Sequence, residues 1–267
     1  MKPVKLAILN AHPRDENIEF DEGPHIYSVN GDSNYTSVTT LNHSYFEEFD
    51  ADGIITNILK SKKINDPTYR YFGMSREDIK KQWADNGKLA SGSGTKMHAD
   101  IEYYYNDLPV NNDSLEYEYF LRFKSDFPEL KPYRTEWVIY HEELRIAGSV
   151  DMVYENPDGT LQIYDWKRVK EIKYDHDTNF GNEKYSKVEC IKHIPDTNYW
   201  HYALQLNTYK RIIEEKYGKI VTDLYLVCLY PENPLKSYER IKICDLSKEI
   251  EDLFKLRKDV IDKKKYL

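Results

Sequence analysis

Apolar residues recur at helical spacing through the front half of the chain and at alternating spacing from Thr135, so a helical front and a sheet-forming core are expected. Within TSVTTLNHSYFEEFDADGIITNILKSKK, Ile54, Ile58 and Leu59 share a helix face while Asp50 to Gly53 interrupts the run, which predicts two short helices. Ser75, three residues ahead of Asp78, resembles a helix cap and opens a helix through Trp83 toward Asn86 and Gly87. The Gly/Ser stretch SGSGTKMHADIEYYYN then leads into another helix holding His98, Glu102 and Tyr105. TEWVIYH, LRIAGSVDMVY and LQIYDWK are three β runs. The last two are joined by ENPDGT, whose Asp158-Gly159 is a hairpin turn signal, so an antiparallel meander follows. Residues 168 to 198 are polar and irregular and read as a loop. YWHYALQLNTYKRIIEEKYG is an amphipathic helix closed by Gly218, and the nearly continuous apolar run IVTDLYLVCLYP suits a buried central strand. YERIKICD is an adjacent strand and LSKEIEDLFKLRKDVIDKKK a terminal helix. The expected class is α/β, with a mixed central β-sheet containing the meander and helices flanking it. One domain over residues 1–267 is expected, with a mainly helical front at 1–134, a sheet core at 135–245 and a C-terminal helix at 246–267.

Composition narrows the function classes. The chain of 267 residues is long enough for a sizeable core, and its net charge of -8 argues against a protein that simply coats nucleic acid. The charge is polarised, however. Residues 1–166 carry 17 basic and 29 acidic side chains, whereas residues 167–267 carry 21 basic and 17 acidic ones. Any attraction for a polyanion must therefore be local. Cys190, Cys228 and Cys244 are too few and too scattered for a disulfide framework or a four-thiolate metal site, so a reducing, intracellular compartment is expected. The absence of an apolar run of about 18 residues and of a signal-like start predicts a protein that is neither secreted nor membrane-bound.

The sharpest local feature is LQIYDWK. Period-two geometry places Leu161, Ile163, Asp165 and Lys167 on one face, and Gln162, Tyr164 and Trp166 on the other. Asp151 interrupts the hydrophobic run of the preceding strand after Ala147-Gly148-Ser149-Val150, and Glu136 opens the run Trp137 to Tyr140 in the strand before that. Three carboxylates and one ammonium thus fall on consecutive antiparallel strands, which calls for surface exposure or a bound cation. The downstream helix adds Gln205 and Tyr209 four residues apart on one face.

This ordered set resembles the RecB-type nucleases of the PD-(D/E)XK superfamily, with restriction-endonuclease-like cores, and is most similar to the mitochondrial genome maintenance exonucleases and their relatives in large DNA viruses. The matching residues are Gly94 to His98, Glu136, GSVD at 148–151, DWK at 165–167 and QLNTY at 205–209, and the SVTT at 37–40 is similar to a front segment of these enzymes. A viral origin is compatible with it. The resemblance covers roughly residues 25 to 245. It implies a metal-dependent deoxyribonuclease, an exonuclease acting on single-stranded DNA ends or flaps in replication, repair or recombination. A non-catalytic nucleic-acid-binding protein of the same fold, or a restriction-type endonuclease, is the alternative.

Phosphodiester hydrolysis needs a nucleophilic water and stabilised phosphate charge, which divalent metals supply. On this reading Asp151 and Asp165 are the principal ligands of one or two Mg²⁺ or Mn²⁺ ions, beside the backbone carbonyl of Trp166, with Glu136 a further ligand. Lys167 orients or helps deprotonate the attacking water and offsets phosphate charge. The resemblance places His98 next to the metal, an imidazole that tilts the site toward Mn²⁺ while tolerating Mg²⁺, and helical spacing aligns Glu102 four residues on as a weaker ligand candidate. It assigns Gln205, Tyr209 and Ser37 to positioning DNA or the site. Arg168 and Lys170 of the basic segment 167–173, with Lys184, Lys187 and Lys192, would attract phosphate, while Tyr174, Tyr185, Tyr199 and Trp200 would stack unpaired bases. The Lys263 to Lys265 run reads as a solvated helix tail. With three scattered cysteines, no iron-sulfur cluster is expected.

Overall fold

The computed structural model describes residues 5–175 and 184–264. Part of the expected loop, residues 176–183, and Lys265 lie outside the described residues. Two compact units are formed, one from the segments up to Glu47 and from Met97 onward, the other from Glu48–Lys96.

The larger unit begins with α1 (Lys5–Leu9), the hairpin strands β1 (Ile18–Asp21) and β2 (Ile26–Val29), β3 (Thr36–Ser37) and α2 (Val38–His43). The smaller unit holds α3 (Ala51–Lys60) and the first part of α4 (Arg76–Tyr105). The larger unit resumes within α4 and continues through α5 (Leu115–Asp126), β4 (Lys131–His141), β5 (Ile146–Glu155), β6 (Leu161–Lys167), α6 (Asn198–Tyr217), β7 (Val221–Cys228), β8 (Glu239–Lys242) and α7 (Ser247–Lys264).

The main sheet runs β3-β5-β6-β7-β8, with β4 paired to β5 as well. The meander β4-β5-β6 is antiparallel, β6 and β7 are parallel across the α6 crossover, and β8 returns antiparallel to β7. The α/β class, the mixed sheet, the meander and the flanking helices match the sequence reading. The two faces of β6 separate as its alternation requires. Leu161 and Ile163 join Val153 and Leu226 against Leu204, Leu206, Ile212 and Ile213 of α6. Tyr164 and Trp166 join Met152 and Tyr154 against Ile101 and Tyr105 of α4 and Phe120 and Phe123 of α5. Gly218 ends α6 in the left-handed conformation, with φ 62°, which a residue lacking Cβ adopts without strain.

One expectation changes. The Gly/Ser stretch does not separate two helices, because α4 is continuous for 30 residues. Gly87, Gly92 and Gly94 each weaken a helix by about 1 kcal/mol, but none has a positive φ and no proline stands among them to remove a hydrogen bond. The mainly helical front also carries the short strands β1, β2 and β3 between Ile18 and Ser37. Tyr27 and Val29 are buried on either side of Ser28, a period-two pattern only four residues long. In the smaller unit, Ile55, Tyr71 and Ile79 form the buried centre. Asp50 caps α3 through the Gly53 amide at 2.8 Å, and Ser75 and Asp78 exchange hydrogen bonds at the start of α4, as their spacing predicts.

Candidate metal centre

One edge of β5 is shared. It pairs with β3 at Ile146 and Ala147, and with β6 from Met152 to Glu155, leaving Gly148 to Asp151 without a strand partner on that edge. The GSVD segment is this gap. Buried backbone groups there need other partners, and side chains provide them: the Trp166 N–H donates to Asp151 Oδ2 at 2.9 Å, and the Tyr27 hydroxyl meets the Ser149 backbone. Gly148 admits the ring of Tyr209. A Cβ at this position would lie 2.6 Å from Tyr209 Cε1 and 3.0 Å from its hydroxyl, closer than packed atoms come.

His98 reaches the fork from α4. Its Nε2 lies 3.0 Å from the Trp166 carbonyl, while Nδ1 lies 3.4 Å from Glu136 Oε1 and 3.5 Å from Asp151 Oδ2. Burial works against the imidazolium, but Asp151 and Glu136 outweigh it and raise the His98 pKa to about 9. Glu136 sits in β4 with φ 42°, a left-handed backbone for a side-chain-bearing residue, and its Oε2 accepts a hydrogen bond from the Ser149 hydroxyl at 2.9 Å.

Asp165 lies one step beyond the last β5–β6 pair, Met152↔Tyr164, opposite Asp151, and is 1% exposed. Its Oδ1 accepts from Gln205 Nε2 at 3.4 Å, and the same nitrogen donates to the Tyr209 hydroxyl at 3.2 Å. Its Oδ2 is ion-paired with Lys167 Nζ at 2.5 Å. Burial and the Asp151 charge raise the Asp165 carboxyl to about 7 despite Lys167. Burial opposes the Lys167 ammonium, but Asp165 and Asp151 prevail and push its pKa above the usual lysine value. The ammonium also stands 5.0 Å over the Tyr202 ring.

These residues fit a hard divalent cation. The donor atoms of His98, Glu136 and Asp151 lie within 4.8 Å of one another, forming a group able to hold a metal ion, and the Trp166 carbonyl adjoins it through His98. Oxygen donors with one imidazole make a ligand set able to hold a divalent cation. Asp165 and Glu102 stand outside this tightest group. A second group among the described residues, His141, Glu142 and Glu143, has its carboxylates tied to Arg14 and Lys216.

The Ser37 hydroxyl caps α2, accepting from the Thr40 amide at 3.0 Å and donating to Thr40 Oγ1 at 2.7 Å. Arg168 is ion-paired with Glu116 of α5 at 2.6 Å, whereas Lys170, Lys184 and Lys187 are exposed. Tyr199 is not placed to stack a base: it is 5% exposed, its ring meets Tyr174 at 4.3 Å, and its hydroxyl accepts from the Cys244 amide. The opening of α6 at Asn198 tucks this ring into the core. Tyr174 and Tyr185 are exposed, and the Trp200 indole N–H donates to the Tyr174 carbonyl. Sequence reasoning overlooked Ser149, Tyr27 and Tyr202. Ser149 lies inside the GSVD segment and was within reach; Tyr27 has no local signature. No helix among the described residues is long and apolar enough to cross a membrane.

Comparison with protein-family models finds no match. None of the curated proteins matches either. Among solved structures the chain is similar to one described as a "Putative exonuclease" from Eubacterium rectale, at 12% sequence identity and a TM-score of 0.38, over 85% of this chain and 80% of that one.

Proposed function

We propose that the chain is a metal-dependent deoxyribonuclease that hydrolyses phosphodiester bonds at single-stranded DNA ends or flaps, an exonuclease of the RecB type serving replication, repair or recombination inside a reducing compartment. The observation that carries this reading is the convergence of His98, Glu136, Asp151, Asp165 and Lys167 at the β5–β6 fork. Asp151, Asp165, Glu136, His98 and the Trp166 carbonyl would hold one or two Mg²⁺ or Mn²⁺ ions. Such an ion supplies Lewis acidity toward a phosphate oxygen and makes water a stronger nucleophile near neutral pH.

The chain's own groups do the rest. Lys167, steered by Asp165 and the Tyr202 ring, presents an ammonium that orients the attacking water and offsets phosphate charge. Gln205 holds both Asp165 and Tyr209, so α6 fixes the carboxylate on which Lys167 depends. Lys170, Lys184 and Lys187 offer local positive charge against an acidic background, which makes binding sensitive to salt. Arg168 can contribute only by leaving Glu116.

The test is a cleavage panel of 5′- and 3′-labelled single strands, flaps, blocked ends and closed single-stranded circles, each with Mg²⁺ and with Mn²⁺. Progressive shortening from free ends and sparing of circles is expected. Intact substrates with both ions overturn the hydrolytic reading, and cutting of circles overturns the exonuclease mode.

A further inference from the structure

We propose that Ser149 is a positioning residue that presets Glu136 for cation binding, with Tyr27 bracing Ser149 from the β1–β2 hairpin. The inference rests on the metal reading above and deepens it.

Glu136 is the least self-sufficient member of the cluster. A left-handed backbone at a residue bearing a side chain is strained and persists only where the surroundings hold it. At Glu136, with φ 42°, the neighbours on both sides are fixed: the Thr135 hydroxyl accepts from Asn106 Nδ2 at 2.9 Å, and the Trp137 indole N–H donates to Asp15 Oδ1 at 3.0 Å. The backbone excursion therefore turns one side chain out of regular alternation between two anchored ones. What remains free is where the carboxylate points, and the Ser149 hydroxyl decides it. By donating to Oε2 at 2.9 Å, it leaves Oε1 on the His98 side, within the group of donor atoms shared with Asp151.

Ser149 can serve this purpose because it lies in the four-residue gap of the β5 edge, two residues before Asp151. The same stretch of strand thus carries one ligand and the hydrogen-bond donor that aims another. Tyr27, 4% exposed, has its hydroxyl against the Ser149 backbone and within electrostatic reach of Glu136 and Asp151. Its ring is packed with Phe20 at 4.4 Å, so the hairpin fixes it in place. A carboxylate aimed before the ion arrives loses less rotamer freedom on binding. Outer partners of this kind typically change metal affinity by about 10- to 100-fold when removed.

The experiment is calorimetric titration of the purified full-length chain with Mn²⁺ alone, without DNA. Ser149→Ala should weaken Mn²⁺ binding by about 10-fold or more, Tyr27→Phe should weaken it less, and Ser149→Thr, which keeps a hydroxyl, should restore it. In a Glu136→Gln background, Ser149→Ala should add little further loss, because the two act through one contact. Thermal unfolding of each variant without metal separates this effect from loss of fold, and the Tyr27→Phe and Ser149→Thr variants keep the test standing if Ser149→Ala unfolds. Unchanged Mn²⁺ affinity in Ser149→Ala, or an equal loss with and without Glu136, overturns the positioning role while leaving the metal reading intact. Failure of the unaltered chain to bind Mn²⁺ overturns both.

Discussion

Replacement of Lys167 by Met is expected to lower DNA cleavage by roughly 10²- to 10³-fold, the magnitude usual for losing a preorganised charge at a reacting phosphate, while single-strand affinity changes little. The reason lies in what the ammonium faces. It belongs to an inward-facing pair with Asp165 and not to the exposed Lys170, Lys184 and Lys187 to which phosphate attraction is assigned in the proposal, so on that reading its removal strips charge from the reaction and not from the binding surface. Rates under single-turnover conditions, set beside binding to an uncleavable strand, provide the check. Parallel loss of rate and affinity would assign Lys167 to DNA capture instead. Lys167→Arg keeps the charge but spreads it over a planar fork that suits this spot poorly, so only partial recovery is expected.

Trp166→Ala is expected to be the most damaging substitution for stability, at about 3–5 kcal/mol. The Trp166 side chain is 1% exposed and meets Phe120 and Phe123 edge-on at 5.7 and 5.4 Å, so it fastens α5 to the face of the sheet opposite α6. In a chain of this size such a loss lowers the thermal midpoint by roughly 10 °C. Its backbone is a separate matter: the carbonyl faces His98 and the amide faces Asp151. Trp166→Phe keeps much of the packing and should lose far less. Differential scanning calorimetry distinguishes the two, and equal midpoints for both variants would show that Trp166 contributes little to this core.

The strands that carry the candidate site were legible because their periodicity is strict and local. Alternation in LQIYDWK places Asp165 and Lys167 together and sends Trp166 to the other face, and the structure packs them that way. The closing glycine of α6 was equally readable, since one residue decides it. What escaped depends on distance along the chain or on backbone choices without a residue signature. Glycines at 87, 92 and 94 suggested a break where a continuous helix forms, because glycine weakens a helix without ending it. Glu136 carries no mark of its left-handed backbone. Arg168 is paired with Glu116, 52 residues earlier, and Tyr27 arrives beside Ser149 from 122 residues away; neither separation leaves a trace in spacing or composition. Tyr199 illustrates the same limit from the other side, since a tyrosine at the head of a helix is equally suited to solvent and to core, and only the fold of Tyr174 and Cys244 around it decides.

On the proposed reading, a cation held at the β5–β6 fork drives DNA hydrolysis. Cleavage of an end-labelled single strand, measured across a range of Mn²⁺ concentrations for the unaltered chain and for Asp151→Asn, tests it most directly. Asp151 is the residue at which the His98 contact, the Trp166 amide and the facing Asp165 meet. Cleavage that rises and saturates with Mn²⁺ in the unaltered chain, vanishes with chelator and is absent from Asp151→Asn at every concentration is the predicted result. Cleavage that persists with chelator, or that survives undiminished in Asp151→Asn, would contradict it.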